Sequence, residues 1–127
     1  MTVKRTPKKR SGERGDSLLA FCRALPGATE DVKWGKDLMF SVGNKMFAGF
    51  SMPEGEPVAF KVEDEAFDVL VQRDGFVPAP YAARFSWVSV PVRRKVKVAE
   101  LKALLKDAHR IVGSCLSAKK RRELGVD

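Results

Sequence analysis

Between Val32 and Val62 the chain alternates four apolar runs with residues that turn a backbone. The runs are Val32–Trp34, Leu38–Val42, Lys45–Met52 and Pro57–Val62, and Gly35-Lys36-Asp37, Gly43-Asn44 and Pro53-Glu54-Gly55-Glu56 separate them. Gly and Asn accept a positive φ and Pro fixes a negative one, so such short connections between β-favouring runs predict hairpins. An antiparallel meander follows from this spacing. In its last strand Val58, Phe60 and Val62 share one face and Ala59 and Lys61 the other. In Lys45–Met52 the set Met46, Ala48, Phe50 and Met52 opposes Phe47, Gly49 and Ser51. Both faces there carry apolar residues, whereas a sheet wet on one side alternates more cleanly. Strict alternation thus leaves two options for Phe47: a partly covered second face, or exposure with a function.

Helical spacing brackets the meander. Leu18, Phe21, Cys22 and Leu25 stand at i, i+3, i+4 and i+7, with Asp16 or Ser17 as N-cap and Pro26-Gly27 as the stop. Glu63-Asp64-Glu65 opens a second helix with acids at the positive dipole end, Ala66, Phe67, Leu70 and Val71 form its stripe, and Gly75 closes it. Phe76–Tyr81 is an extended connection, because Pro78 and Pro80 exclude helix. Phe85–Val92 reads as a fifth strand, with Ser86, Val88 and Val90 opposite Phe85, Trp87 and Ser89. The longest helix, Val98–Leu116, carries a wide stripe from Leu101 through Leu105, Ala108 and Val112. The expected class is α+β in the order α-β-β-β-β-α-β-α, an antiparallel sheet of about five strands with the terminal helices on one face.

Charge divides the chain. The net charge is +8 over 127 residues, but 15–118 holds 14 basic and 13 acidic residues. The excess sits at the ends, in Lys4, Arg5, Lys8, Lys9, Arg10 and Arg14, and in Lys119, Lys120, Arg121 and Arg122. We therefore read 1–15 as a disordered basic tail, 16–118 as a single domain and 119–127 as a basic C-terminal tail. Basic tails bind phosphate backbones through counterion release, or simply solubilise the chain. No run reaches the roughly 18–20 apolar residues of a membrane span. No apolar segment follows the first basic residues as a secretory signal requires, and Cys22 and Cys115 fall on apolar helix positions. A cytoplasmic monomer with reduced thiols and no membrane contact is the expectation.

Candidate chemistry is sparse. His109 sits at the margin of the long helix's stripe with no partner to orient it as a base, so a surface or boundary position is expected. One histidine and two cysteines make no zinc set, and the acids of Glu63–Glu65 open a helix. No phosphate-loop or dinucleotide glycine spacing occurs. We expect no enzyme activity, no cofactor and no metal. What remains is cations interleaved with aromatics: Lys33-Trp34-Gly35-Lys36, Lys45-Met46-Phe47, Arg84-Phe85-Ser86-Trp87 and Arg93-Arg94-Lys95. Nucleic-acid surfaces use such cations for phosphates and such rings for stacking.

Several strings resemble the MmcQ/YjbR family: Leu25-Pro26-Gly27-Ala28-Thr29-Glu30-Asp31 before Trp34-Gly35, then Gly43-Asn44-Lys45-Met46-Phe47-Ala48, Phe60-Lys61, Val77-Pro78 and Trp87 before Val90. The resemblance spans about residues 17–118. It implies a frataxin-like (CyaY-like) fold and carries the family's double-wing DNA-binding label. By position it carries over Lys45, Phe47, Lys61 and Trp87. Around Tyr81–Ser86 the chain departs from the family's polar His-Met-Asn-Lys-like segment, which puts any ligand role of that segment in doubt. Leu18–Leu25 lacks the acidic ridge that iron binding would need. Two functions follow as expectations. The first is a nucleic-acid-binding domain in which Lys33, Lys36, Lys45, Arg84, Arg93, Arg94 and Lys95 meet phosphates. The second is a protein- or small-ligand-interaction module using an open sheet face around Phe47, Lys61 and Trp87. An enzyme acting on a small anionic metabolite ranks third.

Overall fold

A computed structural model of the chain describes residues 16–126. The sheet-forming elements are β1 (Ala28–Lys33), β2 (Asp37–Val42), β3 (Lys45–Ser51), β4 (Val58–Lys61), β5 (Val77–Pro78) and β6 (Trp87–Val90). The helices are α1 (Ser17–Arg23), α2 (Asp64–Leu70), α3 (Val98–Ser114) and α4 (Ala118–Leu124). Every strand pair is antiparallel, in the order β1-β2-β3-β4-β6-β5. The meander and the α+β class hold. A sixth, two-residue strand is added at the edge, inside the expected extended connection.

Cross-strand partners share a face, so the register sorts the side chains. Leu38 pairs with Phe50, Phe40 with Ala48, Phe50 with Val58, Ala48 with Phe60, Phe60 with Val88 and Val58 with Val90. These residues are buried beneath α1 and α3, where Leu18, Leu19, Cys22, Leu101, Leu105, Ala108 and Val112 complete the core. Phe40 meets Phe50 edge to face at 5.8 Å. Each such ring withdrawn from water contributes about 1.5–3 kcal/mol. The other face carries Met39, Gly49, Ala59 and Ser89 in one continuous rung, with Val77 beyond them.

One irregularity decides where Phe47 goes. The β2–β3 register shifts after Phe40: Phe40 faces Ala48, but Ser41 faces Met46. Phe47 is the extra residue of a β-bulge, so it turns to the helix side and Met46 takes the open side. Phe47 is fully buried, 6.3 Å from the Phe40 ring and edge-on to His109 at 5.4 Å. Strict alternation put Phe47 on the open face; the bulge overturns that assignment. His109 is likewise buried, not superficial, and its Nε2 donates to the Pro26 carbonyl at 2.7 Å, tying α3 to the α1–β1 turn. The bulge follows a two-residue turn in which Gly43 (φ 58°) and Asn44 (φ 66°) are both left-handed. A Cβ at Gly43 would come within 2.7 Å of Leu116, so the turn also lets the end of α3 approach.

Other boundaries moved for local reasons. β1 begins at Ala28, and Trp34 lies in the turn at φ 53°. The polar Thr29-Glu30-Asp31 stretch hides an edge strand, because charges guard such edges and mask the apolar signal. Residues 83–85 form a single 3-10 turn and Ser86 is left-handed, so the last long strand starts at Trp87 rather than Phe85. The C-terminal stretch is not a loose tail up to Val126. Ser117 caps α4, and Leu124 and Val126 pack on the backbone of Gly27 and Gly113. Residues 1–15, expected to be disordered, lie outside the described residues.

A single ion pair joins three distant segments. Asp16 caps α1 by accepting from the Leu18 amide at 2.9 Å. The same carboxylate receives Arg93 Nη1 at 2.6 Å and Nη2 at 2.9 Å. Arg93 also donates to the Gly55 carbonyl at 3.3 Å, and its amide donates to Glu56 at 2.7 Å. Burial pushes the Asp16 carboxyl up, but the Arg93 guanidinium and the two helix amides outweigh it and hold the group below its ordinary value.

Two stability tests follow. Asp16→Asn keeps a cap but leaves Arg93 without its countercharge, and should cost about 3 kcal/mol at neutral pH by urea unfolding. Because the folded carboxyl titrates below 3.8, its contribution is complete above that pH and drains as pH falls through the folded value, so variant and wild type should converge in acid. Phe47→Ala should cost about 3–5 kcal/mol as a core cavity, where an open-face residue would cost little.

Candidate functional site

The open face carries a cleft of about 870 Å³, and small side chains make its floor. Gly49, Ala59 and Ser89 pair across three neighbouring strands, so the middle of the sheet has almost no side-chain height. Met39 leans over Gly49, where an added Cβ would lie 2.5 Å from its Sδ. Trp34, Asp37, Met46 and Ser51 line one side, and Ala79, Pro80, Tyr81, Ala82 and Phe85 the other.

The second wall runs from Ala79 to Phe85. Pro78 ends β5, Pro80–Ala82 form turns that lead into the 3-10 turn at 83–85, and the segment is pinned at several points. Ala79 donates its amide to the Trp87 carbonyl at 3.1 Å, and Phe85 donates to Ala82 at 3.0 Å. Lys61 Nζ donates to the Phe85 carbonyl, and the Ser86 hydroxyl donates to Asp64. The wall thus stands beside the sheet instead of sealing it.

Aromatic rings crowd the rim. Trp34 is 70% exposed, Phe85 55%, and Tyr81 fully, while Trp87 is half-buried. Trp34 and Tyr81 both occupy left-handed backbone, at φ 53° and 66°, a conformation bulky residues rarely take. Loops from opposite sides of the cleft hold a large ring in water at this backbone cost. Asp37 is the single charged residue in the lining. Its Oδ1 accepts from Ser51 Oγ at 3.1 Å, and among the described residues no cation pairs with it.

The residues singled out from sequence fall into separate groups. Trp87 lines the cleft, and Lys61 stands beside its partner Trp87 at one end of it, while Phe47 is in the core. Of the cations, Arg93 is consumed by Asp16, Lys33 pairs with Asp31 at 3.5 Å and Lys95 with Asp74 at 3.7 Å. Arg93 cannot meet phosphate without abandoning a partly buried pair, so it leaves the candidate set. Lys36, Lys45, Arg84 and Arg94 have no carboxylate partner among the described residues. They do not form one patch, because Lys36 and Lys45 mark opposite ends of β2, about 20 Å apart at 3.3 Å per residue. Arg84 lies over the Phe85 ring at 4.8 Å.

The thiols also separate. Cys22 is buried, and burial pushes its thiol up to about 12, so it remains protonated. Cys115 is exposed just after α3, not on a core face as its spacing suggested. Among the described residues no three His, Cys, Asp or Glu side chains gather as a metal site requires, and no helix is long and apolar enough to cross a membrane. The floor residues Met39, Gly49, Ala59 and Ser89 and the acid Asp37 were missed from sequence. The available signal was the run of small residues at open-face positions of three consecutive paired strands.

Comparison with known proteins agrees with this architecture. No curated protein matches the chain. A crystal structure of Deinococcus radiodurans protein DR2400, which carries a DUF419 domain, superimposes with a TM-score of 0.79, at 25% identity and with 88% of each chain covered. The family model described as YjbR matches residues 23–111, from the last residue of α1 into α3, and so includes the whole sheet and both walls of the cleft. The chain belongs to the YjbR family.

Proposed function

We propose that this YjbR domain is a non-enzymatic binding module that receives a small ligand in the cleft on the open sheet face. The observation that carries the reading is the cleft itself: a floor of Gly49, Ala59 and Ser89 between two loops that each hold an exposed ring in left-handed backbone. Its volume falls within the roughly 300–1,000 Å³ common for small-molecule sites, and a mostly apolar lining with few convergent polar groups fits the same class. Exposed apolar surface of this kind on a soluble domain favours a binding role over plain structure. The lining offers one carboxylate, two serine hydroxyls and the Tyr81 phenol, with neither histidine nor cysteine, a sparse polar set that suits orienting a ligand. Backbone-amide NMR with a library of aromatic fragments tests the reading. Shifts should concentrate at Gly49, Ala59, Ala79 and Ser89, and Ala59→Trp, which fills the floor, should abolish them. Fragments that perturb only loops away from the floor would remove the cleft from the mechanism.

Nucleic-acid binding is the second reading. Its support is the four cations without carboxylate partners among the described residues, Lys36, Lys45, Arg84 and Arg94, together with the basic residues of 1–14. With the first two at opposite ends of the sheet, this reading needs a long contact along the backbone of the nucleic acid. Fluorescence anisotropy across a salt series should give a slope near 0.9 per phosphate contacted on duplex DNA. Removing 1–14 should lower the slope while leaving measurable binding, and Lys36→Ala with Arg94→Ala should lower it further. Affinity that vanishes with the first 14 residues would assign all of it to that segment.

A further inference from the structure

We infer that the cleft's ligand is a small organic cation: an amine or quaternary ammonium nitrogen on an apolar body. This deepens the open-face reading and rests on it. The argument begins with the lining's charge. Asp37 is the one acidic or basic side chain there, half-buried at one end, and Ser51 Oγ is the donor its side chain receives. A half-buried carboxylate with one neutral donor has lone pairs to spare and a preference for positive charge. No lysine or arginine lines the cleft, and Lys36, next to Asp37 in the chain, makes no ion pair with it. Lys33, the register partner of Asp37, extends to Asp31, and Lys61 donates to the Phe85 carbonyl at the far end.

The rings supply the second half. Trp34 stands in the turn beside Asp37, and Tyr81, Phe85 and Trp87 line the same cleft. Aromatic faces attract cations through their quadrupole, most strongly in tryptophan, and combined with a carboxylate they favour alkylated ammonium over a strongly hydrated ion. Met39 and Met46 add polarisable apolar surface for the ligand's body. The same lining disfavours anions, since a phosphate here would face Asp37 without a lining cation. A volume of about 870 Å³ matches a single small molecule better than a folded partner.

Three probes that share a benzyl group test the inference: benzyltrimethylammonium, benzyl alcohol and phenylacetate, each titrated into the full chain and followed by amide shifts at Gly49, Ala59 and Ser89 with tryptophan fluorescence in parallel. Benzyltrimethylammonium should bind about tenfold tighter than benzyl alcohol, and phenylacetate weakest. Asp37→Asn should erase that tenfold preference, bringing benzyltrimethylammonium and benzyl alcohol to comparable affinity, and Asp37→Lys should reverse it toward phenylacetate. The wild-type order of the three probes decides the matter by itself if either variant fails to fold. Equal binding of all three at the floor, or a preference for phenylacetate, would overturn the cation assignment and leave the open-face site standing. Ammonium shifts centred on Asp31 or on α2 instead of the floor would also overturn it. Floor resonances unmoved by any probe would count against the site and the assignment together.

Discussion

The sheet sorts its side chains by size, and both fold and cleft rest on that sorting. On one side Leu38, Phe40, Phe50, Val58, Phe60, Val88 and Val90 stand in register, tall enough to fill the space beneath α1 and α3. On the other, Gly49, Ala59 and Ser89 occupy the alternate positions of the same strands. Period-two geometry forces this division, because neighbouring residues on a strand point to opposite faces. A sheet that kept large apolar residues on both faces would need a second helical layer. Among the described residues α1 and α3 cover one face, and the other stays low.

The bulge between β2 and β3 protects this arrangement where the sequence threatens it. Lys45-Met46-Phe47-Ala48 contains more apolar volume than one face of a regular strand can take. The extra residue at Phe47 turns that ring inward against His109, at the expense of one regular rung. Met46 then faces outward and becomes part of the cleft wall. Core and site are therefore two outcomes of one local distortion.

The ends of the elements are fixed by polar contacts that reach across the chain. Asp16 serves at once as a helix cap and as the anion for Arg93, and Arg93 holds the β3–β4 loop through Gly55. His109 ties down the other end of α1 through Pro26. With both loops that flank α1 anchored, the meander lies in one position under the helices, and Trp34 is presented from the cleft's side of the sheet. The wall at 79–85 has its own ties to Trp87 and Lys61, so the cleft's two sides are held independently.

The sequence alone determined the meander, the flanking helices, the face shared by Val58, Phe60 and Val62, and the family. All of these rest on local signals: turn residues, caps, apolar periodicity and short strings. It also pointed to an open sheet face near Lys61 and Trp87. Only the tertiary structure decided which ring enters the core, because a bulge shifts register without a mark in composition. The commitment of Arg93 to Asp16, the burial of His109 and the packing of α4 were equally hidden, since each partner lies far along the chain. β1 was partly hidden for another reason, as its polar residues gain strand geometry only by pairing with β2. The cleft was illegible for the same cause as the ion pair: a hollow is made by residues that are small, and small residues become a site only when three strands set them side by side.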